Sequence, residues 1–446
     1  MFKRNVIKQL EAWKSNERHK PLILRGARQV GKTTLVHEFG KQFDNYLAFN
    51  MEIPQDKAIL EMNIPIKELA ILLYAAKGKE RKGGSTLLFI DEIQNSPKTI
   101  ALLRYFYEQI PWMHVIAAGS LLENLIDVKV SFPVGRVEYL AIRPCSFMEF
   151  LGALGKEHLL TLLTADPVYT LPFHAELMNL FQQYMLVGGM PEVVAAYAQH
   201  RDLLALDSLF ETLITAYQDD TEKYVRGNKL TEVVRMILAY GWGYAGEAIT
   251  LGNFAKSSYQ SREVSEAFRL LEKAMLVELV YPTSSPLQPV IPETKRKPKL
   301  IWFETGLVNY QAGIRKEIIG AKEILDVWKG RIAEQIVAQE LLALSDKVGQ
   351  KRAFWSRPNN GAEVDFIHTY DSSIYPIEVK NGTNAHLRSI QVFMDQSPVE
   401  LAIRIWSGTY SVDHLTTPKG KPFQLINLPF YLIGRLNEIL HLFQNS

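Results

Sequence analysis

Runs of apolar residues alternate with helical patterns through the first third of the sequence. The run 86–90 is almost continuously apolar, which is typical of a parallel strand covered on both faces by helices. Similar runs occur at 22–24, 46–50, 114–118 and 137–142. This alternation predicts an α/β fold with a doubly wound parallel sheet, whose ligand lies at the carboxyl ends of the strands. We assign residues 1–145 to this domain.

The pattern becomes helical after residue 145. Helical spacing continues from 147 to 200 and is broken only by the sequence Val-Gly-Gly-Met-Pro at 187–191. We interpret the segment 146–218 as a helical lid on the first domain.

A charged connector at 219–223 leads into a segment with a different order of elements. Its periodicity predicts three helices and then two strands, which together make a winged helix. These elements are 230–239, 250–257, 261–275, 276–281 and 300–303. In this winged-helix domain, 219–305, the third helix would enter the major groove of DNA and the basic loop 295–299 would lie along phosphates. A domain that only joins its neighbours would have the same pattern.

Composition narrows the class of protein without assigning a function. Of the 446 residues, 47% are apolar and 22% are charged, which is typical of globular chains and argues against disorder. The net charge of +2 gives no global sign of nucleic-acid binding. The single cysteine, Cys145, excludes internal disulfides and favours a reducing cytoplasm. Because no apolar run approaches the roughly 18 residues of a spanning helix, we expect a soluble protein without a membrane partner.

A complete phosphate-loop motif follows the first strand. Such a motif requires a strand before it and a helix after it, and the segments 22–24 and 34–43 provide both. Backbone N–H groups would hold the phosphates of ATP, Lys32 would reach the β- and γ-phosphates, and Thr33 would bind Mg²⁺. The predicted ATP-binding residues are Gly26, Ala27, Arg28, Gln29, Val30, Gly31, Lys32, Thr33 and Thr34.

Further candidate residues follow the later strands of this sheet. Asp91 would hold Mg²⁺ through water, and Glu92 would polarise the attacking water. Ser120 would lie beside the γ-phosphate, although ordinary turn chemistry also explains a serine here. Arg136, or else Arg143, would act on the nucleotide of a neighbouring subunit in a homo-oligomer. A surface salt bridge explains Arg136 equally well.

The C-terminal domain, 306–446, carries three acids and a lysine on neighbouring elements. Glu334 lies near the start of a predicted helix, Asp365 lies on a strand, and Glu378 and Lys380 share one face of the next strand. Nucleases of the restriction-endonuclease type use such a set, in which the carboxylates bind Mg²⁺ and the lysine helps to generate hydroxide. Solvated charges on an amphipathic sheet would give the same pattern, and such folds also serve as binding modules.

In the order of its parts, the sequence resembles a family of prokaryotic AAA-type ATPases. In that family, a phosphate-loop domain precedes a winged helix and a restriction-endonuclease-like domain of unknown function 4143. The matching residues are 26–33, Asp91, Glu92, Ser120, Gly135, Arg136, 188–191, 298–300, 304–307, Glu334, Asp365, Glu378 and Lys380. The position of Glu304 is more often an aspartate in the family. The resemblance implies the architecture and the use of ATP, and it leaves the biological role open.

Two hypotheses about function follow from these patterns. In the first, a homo-oligomer couples ATP hydrolysis to DNA binding or to Mg²⁺-dependent cleavage of DNA by the C-terminal domain. In the second, ATP drives a regulatory module whose C-terminal domain binds DNA or a protein without cutting it. Only the first requires Asp365 and Lys380 for activity.

Overall fold

The computed structural model describes residues 2–80, 83–119, 133, 135–224, 227–315, 331–345, 347–358, 361–380 and 387–444. The chain forms two compact units. The first consists of Lys3–Arg143 with Ser345–Gly349, and the second of Pro144–Leu344 with Gln350–Ser446. Within the described residues, no helix has the length and apolarity needed to cross a membrane. The cytoplasmic location expected from the sequence stays a prediction.

A parallel sheet forms the centre of the first unit. Its strands are β1 (Leu22–Arg25), β2 (Asn45–Asn50), β3 (Thr86–Asp91), β4 (Met113–Ala118) and β5 (Glu138–Ala141). They lie in the order β2-β3-β4-β1-β5, and each neighbouring pair is parallel. All side chains of β1 and β3 are buried, as expected for strands that are packed on both faces. The α/β fold with a parallel sheet is therefore confirmed, and the carboxyl ends of β1 and β3 lie at the same edge.

Five described helices accompany this sheet. They are α1 (Ile7–Ser15), α2 (Lys32–Gly40), α3 (Pro54–Leu60), α4 (Ile66–Ala76) and α5 (Pro97–Gln109). The start of α5 is fixed locally, because the Ser96 side chain accepts a hydrogen bond from the backbone N–H of Thr99 and proline occupies the first helical position. Its buried residues Leu103 and Phe106 join the same core cluster as Leu88 of β3.

The second unit begins with helices, as the periodicity after residue 145 predicts. The described helices are α6 (Phe147–Ala153), α7 (Glu157–Thr164), α8 (His174–Val187), α9 (Pro191–His200), α10 (Asp207–Tyr224), α11 (Asn228–Tyr240), α12 (Ser261–Lys273), α13 (Thr305–Gln311), α14 (Arg331–Ala343), α15 (Arg388–Met394) and α16 (Leu436–Gln444). In α12, Val264, Phe268 and Leu271 are fully buried and lie three or four residues apart, as expected for the inner face of a helix.

A second sheet of eight described strands completes this unit. The strands are β6 (Val277–Thr283), β7 (Lys299–Trp302), β8 (Ala353–Ser356), β9 (Glu363–Tyr370), β10 (Ser373–Lys380), β11 (Leu401–Trp406), β12 (Ser411–Thr416) and β13 (Pro422–Pro429). Their order is β12-β13-β11-β10-β9-β8-β6-β7. The neighbours β10, β11 and β13 are parallel, whereas β9 is antiparallel to β10.

The hairpin of the predicted winged helix belongs to this second sheet. Strand β6 pairs with β7 and also with β8, where Tyr281 is the register partner of Ala353. The segment from α11 to β7 therefore shares one sheet with the C-terminal residues. The domain boundaries predicted at 218 and 305 stay predictions, but they do not divide this unit into separate compact parts.

Two details of the predicted winged helix are wrong. In place of a helix at 250–257, the structure has a short 3₁₀ turn, Phe254–Lys256. Asn253 and Ala255 have φ angles of 55° and 53°, which a right-handed helix does not contain. The predicted basic wing also loses one cation, because Lys299 begins β7 and is only 3% exposed.

A buried glutamate joins two glycine-containing motifs of the second unit. Glu304 is fully buried, and its carboxylate accepts hydrogen bonds from the backbone N–H groups of Gly306 (3.0 Å) and Leu307 (2.7 Å) at the start of α13. It also accepts one from Gly189 (2.7 Å), between α8 and α9. Gly188 has a φ of +74°, and an added Cβ there would lie 1.9 Å from Oε1 of Glu304. The close approach of this carboxylate therefore requires glycine.

Gly188→Ala should destabilise the protein more than Gly313→Ala. Both glycines have positive φ angles, +74° and +72°, so either alanine costs about 1–2 kcal/mol for its left-handed conformation. An added Cβ meets nothing within 4 Å at Gly313, whereas at Gly188 it meets the Glu304 carboxylate. This clash adds about 1–3 kcal/mol. Urea unfolding followed by circular dichroism measures the difference, and equal losses in the two variants would contradict it.

Candidate functional site

The phosphate-loop motif forms the turn between β1 and α2. Gln29 and Gly31 have φ angles of 61° and 89°, and Gly31 is the N-cap of α2. An added Cβ at Gly26 would lie 2.3 Å from the carbonyl oxygen of Ile142, so this position also needs glycine. The strand, turn and helix that the motif requires are thus present, and the N–H groups at the start of α2 are available to an anion.

The predicted ATP-binding residues divide into buried and exposed ones. The side chains of Ala27 and Val30 are buried, which leaves their backbone for phosphate binding, whereas Thr34 is exposed. The loop is also held by Arg4, a residue that the sequence analysis missed. Its guanidinium donates hydrogen bonds to the carbonyl oxygens of Val30 (3.2 Å) and Arg143 (2.7 Å). The sequence gives no signal of this contact, because Arg4 and Val30 lie 26 residues apart along the chain.

Lys32 supplies a buried cation inside the loop. The residue is only 8% exposed, and its Nζ donates hydrogen bonds to the carbonyl oxygens of Gly26 (2.9 Å) and Ala27 (2.8 Å). Both of these acceptors are neutral carbonyl oxygens of the loop itself. The loop therefore combines the positive charge of Lys32 with the positive end of α2, an environment that favours a polyphosphate.

Thr33 and Asp91 meet at the carboxyl edge of the sheet. The Thr33 hydroxyl donates a hydrogen bond to Oδ2 of Asp91 at 2.7 Å. Burial raises the pKa of Asp91, the Thr33 hydrogen bond opposes this effect, and the charge of Glu92 adds to it. A hydroxyl and a carboxylate are the oxygen ligands that Mg²⁺ prefers, so these two residues fit the predicted cation.

Glu92 follows Asp91 in a constrained conformation. Its φ and ψ angles are 50° and 41°, in the left-handed region that non-glycine residues rarely adopt. Its backbone N–H donates to Oδ1 of Asp91 at 3.0 Å, and the Gln94 side chain donates to its Oε2 at 2.5 Å. The carboxylate of the predicted catalytic residue is therefore oriented by its own backbone and by Gln94.

Of the remaining two candidates of the first unit, the structure describes Arg136 but not Ser120. Ser120 lies outside the described residues, so its sensor role stays a prediction. Arg136 forms an ion pair with Glu108 on α5, and Arg104 bonds the same carboxylate at 3.0 Å. The guanidinium of Arg136 beside Glu108 holds the pKa of that carboxyl below its usual range. The surface salt bridge weighed in the sequence analysis is thus present, and the action of Arg136 in trans stays a prediction.

The predicted residues of the C-terminal domain lie together in the second unit. Asp365 on β9 accepts a hydrogen bond from the backbone N–H of Val379 on β10 at 2.8 Å. On the same strand β10, Nζ of Lys380 lies 2.5 Å from Oε1 of Glu378. Glu334, on the first turn of α14, reaches the same region, since its carboxylate and that of Asp365 both lie beside Nζ of Lys299. The sequence analysis therefore selected a set that is clustered in space.

Lys299 lies inside this cluster, where the sequence analysis did not place it. Its Nζ lies 2.8 Å from Glu334, 2.8 Å from Glu363 and 3.5 Å from Asp365. Burial alone would lower the pKa of Lys299, but the charges of Glu334, Asp365 and Glu363 outweigh it and raise the pKa. We refer to Lys299, Glu334, Glu363, Asp365, Glu378 and Lys380 as the carboxylate cluster. The ammonium group of Lys299 lies among carboxylate oxygens that the sequence analysis predicts to bind Mg²⁺.

The carboxylate cluster contains four acidic side chains and two lysines, so its acids outnumber its cations. Burial raises the pKa of Glu334 to about 7 and that of Glu378 to about 8, and the charge of Asp365 contributes to both. In the described part of the chain, no group of three or more His, Cys, Asp or Glu residues has the geometry of a metal site. Because Lys299 already contacts three of the carboxylates, Mg²⁺ would have to displace its ammonium. Metal binding by Glu334, Asp365 and Glu378 stays a prediction.

Family models match three parts of the chain. An AAA domain matches residues 18–151, and two domains of unknown function, DUF8612 and DUF4143, match 178–318 and 329–416. The chain therefore contains an AAA-type P-loop ATPase domain and a DUF4143 domain. The family resemblance drawn from the motifs of this ATPase is confirmed. The restriction-endonuclease-like character of its C-terminal domain and its winged helix stay predictions.

Solved structures resemble the ATPase at low identity. A Walker-type ATPase of Pyrococcus abyssi is 16% identical, with a TM-score of 0.43 over 70% of this chain and 96% of that chain. The ORC1 protein of Aeropyrum pernix, solved in complex with DNA, is 13% identical, with a TM-score of 0.30 over 70% of this chain and 93% of that chain. These scores carry no argument about function. No curated protein matches the ATPase.

Lys299→Met should destabilise the second unit by about 3–5 kcal/mol, because it leaves buried carboxylates without their cation. The matched control is Lys297→Met, two residues away, since Lys297 is exposed and should change stability by less than about 0.5 kcal/mol. Chemical unfolding of both variants measures the difference. Should Lys299→Met be as stable as the control, the lysine would not be the counter-ion of the cluster.

Proposed function

We propose that the ATPase binds ATP with Mg²⁺ at residues 26–34 and hydrolyses it with Glu92 as the residue that orients the attacking water. The observation that carries this proposal is the 2.7 Å hydrogen bond between Thr33 and Asp91, which joins the phosphate loop to the end of β3. Thr33 and Asp91 would hold the cation, which supplies positive charge to the β- and γ-phosphates when bound. Lys32 would exchange its carbonyl acceptors for phosphate oxygens.

The geometry around Glu92 supports its role as the water-orienting residue. A side chain that positions water must itself be held in place. The left-handed backbone of Glu92 and the hydrogen bond from Gln94 both restrict it. The Glu92 carboxylate, restricted in this way, would polarise the attacking water beside the γ-phosphate. Ser120 completes the proposed site as the polar residue beside the γ-phosphate.

For Arg136, we propose an action on the nucleotide of a neighbouring subunit in a homo-oligomer. Its side chain is 41% exposed and its partner Glu108 is 30% exposed. A surface ion pair of this kind contributes at most about 1 kcal/mol, so a phosphate could replace the carboxylate at little cost. A guanidinium from a neighbouring subunit would then stabilise charge on the departing γ-phosphate.

Lys32→Met should lower the rate of ATP hydrolysis by at least about 100-fold, because the charge that stabilises the departing phosphate is removed. Glu92→Gln should lower the rate by about 10²- to 10⁴-fold while retaining ATP binding. Lys41→Met is the matched control, since Lys41 directly follows the same helix and forms an exposed ion pair with Glu38. Phosphate release and the binding of a fluorescent ATP analogue measure both effects. Wild-type turnover by Lys32→Met would refute the proposed site.

For the C-terminal domain, we infer DNA binding without Mg²⁺-dependent cleavage, coupled to ATP hydrolysis. The absence of Mg²⁺-dependent cleavage is supported by the position of Lys299, whose ammonium contacts three carboxylates of the cluster. The cation beside these carboxylates is then a side chain of the protein, and Mg²⁺ is not required. Lys295 and Lys297 are exposed just before β7 and would provide phosphate contacts.

Cleavage of DNA remains the second candidate function. It is favoured by one observation, the clustering of Asp365, Glu378 and Lys380 on the paired strands β9 and β10. Such chemistry would require a hydrolytic site of the type predicted from the sequence. It would also require Lys299 to leave the carboxylates.

Wild-type protein should bind DNA as tightly in EDTA as in Mg²⁺ at matched ionic strength, and should not cut it. The reason is that Lys299 is the counter-ion of three carboxylates in either buffer, so that Mg²⁺ is not needed there. Fluorescence anisotropy with labelled single- and double-stranded DNA measures binding, and gel electrophoresis measures cleavage. In the double variant Lys295→Ala/Lys297→Ala, affinity should fall for every sequence and the salt dependence should decrease. Mg²⁺-dependent cleavage that disappears in Lys380→Ala would instead establish the second candidate.

A further inference from the structure

A row of polar side chains crosses the parallel part of the second sheet. Glu378 on β10 is the register partner of Arg404 on β11, and Arg404 is the register partner of Asn427 on β13. Register partners on neighbouring strands point to the same face, so these three side chains form one row. Lys380 and Trp406 form the next row, at the carboxyl ends of β10 and β11. Ligands of open sheets often bind at the carboxyl ends of parallel strands.

Arg404 is a buried cation without a counter-ion among the described residues. It is only 8% exposed, and its buried Nε has no hydrogen-bond partner. Its guanidinium lies 4.3 Å from the centre of the Trp406 ring. The carboxylate of Asp413, which acts on Arg404 only through its charge, accepts a hydrogen bond from Asn427 at 2.8 Å. A buried charge without a partner is costly, so a structure retains one only where something compensates.

The neighbours of Arg404 in the row are also incompletely bonded. Oε2 of Glu378 and Oδ1 of Asn427 are both buried and have no hydrogen-bond partner in the described part of the chain. Buried polar atoms almost always have a partner, and three on adjacent strands indicate a group that the chain itself does not supply. The charge of Glu378 is paired with Lys380 at 2.5 Å, whereas that of Arg404 is unpaired. The missing group is therefore an anion at the arginine, with water on the two oxygens.

We propose that Arg404 and Lys380 form a binding site for a phosphate group at the carboxyl ends of β10 and β11. Stacking on Trp406 fixes the plane of the guanidinium and directs its N–H edge to two phosphate oxygens. Lys380, the register partner of Trp406, lies two residues further along β10 than Glu378, and its side chain, 29% exposed, would share its positive charge between Glu378 and the phosphate. The site deepens the proposed DNA binding and rests on it, because the backbone of DNA offers this group. Free phosphate offers the same chemistry.

The test compares Arg404→Leu with Arg404→Lys and the control Lys419→Ala, which removes an exposed charge from the same sheet. Anisotropy of labelled single- and double-stranded DNA is measured in EDTA at several salt concentrations. Arg404→Leu should weaken DNA binding about tenfold and lower the salt slope by about one. Arg404→Lys should recover part of the loss, since it keeps the positive charge but not the two parallel N–H donors of the guanidinium. Lys419→Ala should stay within about twofold of the wild type.

A second measurement separates the two sources of phosphate. Melting of each variant is compared in inorganic phosphate and in chloride at equal ionic strength, and it also shows whether Arg404→Leu is folded. If the wild type does not bind DNA but phosphate raises its melting temperature and not that of Arg404→Leu, the DNA function fails and the phosphate site stands. If DNA binding and the rise in melting temperature caused by phosphate are both unchanged in Arg404→Leu, ordered water fills the row and the proposal is overturned. Should Arg404→Leu not fold, the same criteria apply to Arg404→Lys.

Discussion

The ammonium of Lys299 is the constraint on which the second unit depends. A buried ion costs several kcal/mol unless its partners are close, and the same is true of the acids around it. The lysine comes from β7, whereas its partners come from α14 and β9. None of these charges can be buried before all three elements have assembled. This mutual dependence explains in physical terms why the hairpin, the helix and the sheet belong to one compact unit.

Two buried lysines in the described part of the chain differ in the acceptors of their hydrogen bonds. Lys32 donates to neutral carbonyl oxygens of its own loop, and Lys299 donates to carboxylates. A charged ligand competes easily with a carbonyl and poorly with a carboxylate, because a hydrogen bond between two charged groups is roughly twice as strong. We therefore expect a nucleotide to displace the carbonyl oxygens from Lys32 more easily than it would displace the carboxylates from Lys299. The position of a lysine beside a candidate ligand site does not by itself make it a binding residue.

The sequence predicted local features well and long-range partners poorly. The phosphate loop, Asp91 and Glu92 were found because each is defined by neighbours along the chain, a strand before and a helix or turn after. Lys299 was missed because its acids lie 35 to 66 residues away, and it was assigned to an exposed wing. Its place directly before the apolar run of β7 was the one available signal. The turn at Phe254–Lys256 was predicted as a helix because apolar spacing carries no information on positive φ angles.

The strand pairing of the second sheet also limits how this protein could have been assembled in evolution. The DUF4143 match covers 329–416, which excludes both Lys299 and the strand β13 that pairs with β11. A gene fragment with those bounds would encode Glu334, Glu363 and Asp365 without their cation, and a parallel strand without its neighbour. A fragment that keeps both this sheet and the counter-ion of its acids therefore extends from the hairpin before the match to the strand after it. We expect the middle and C-terminal segments to have been inherited together.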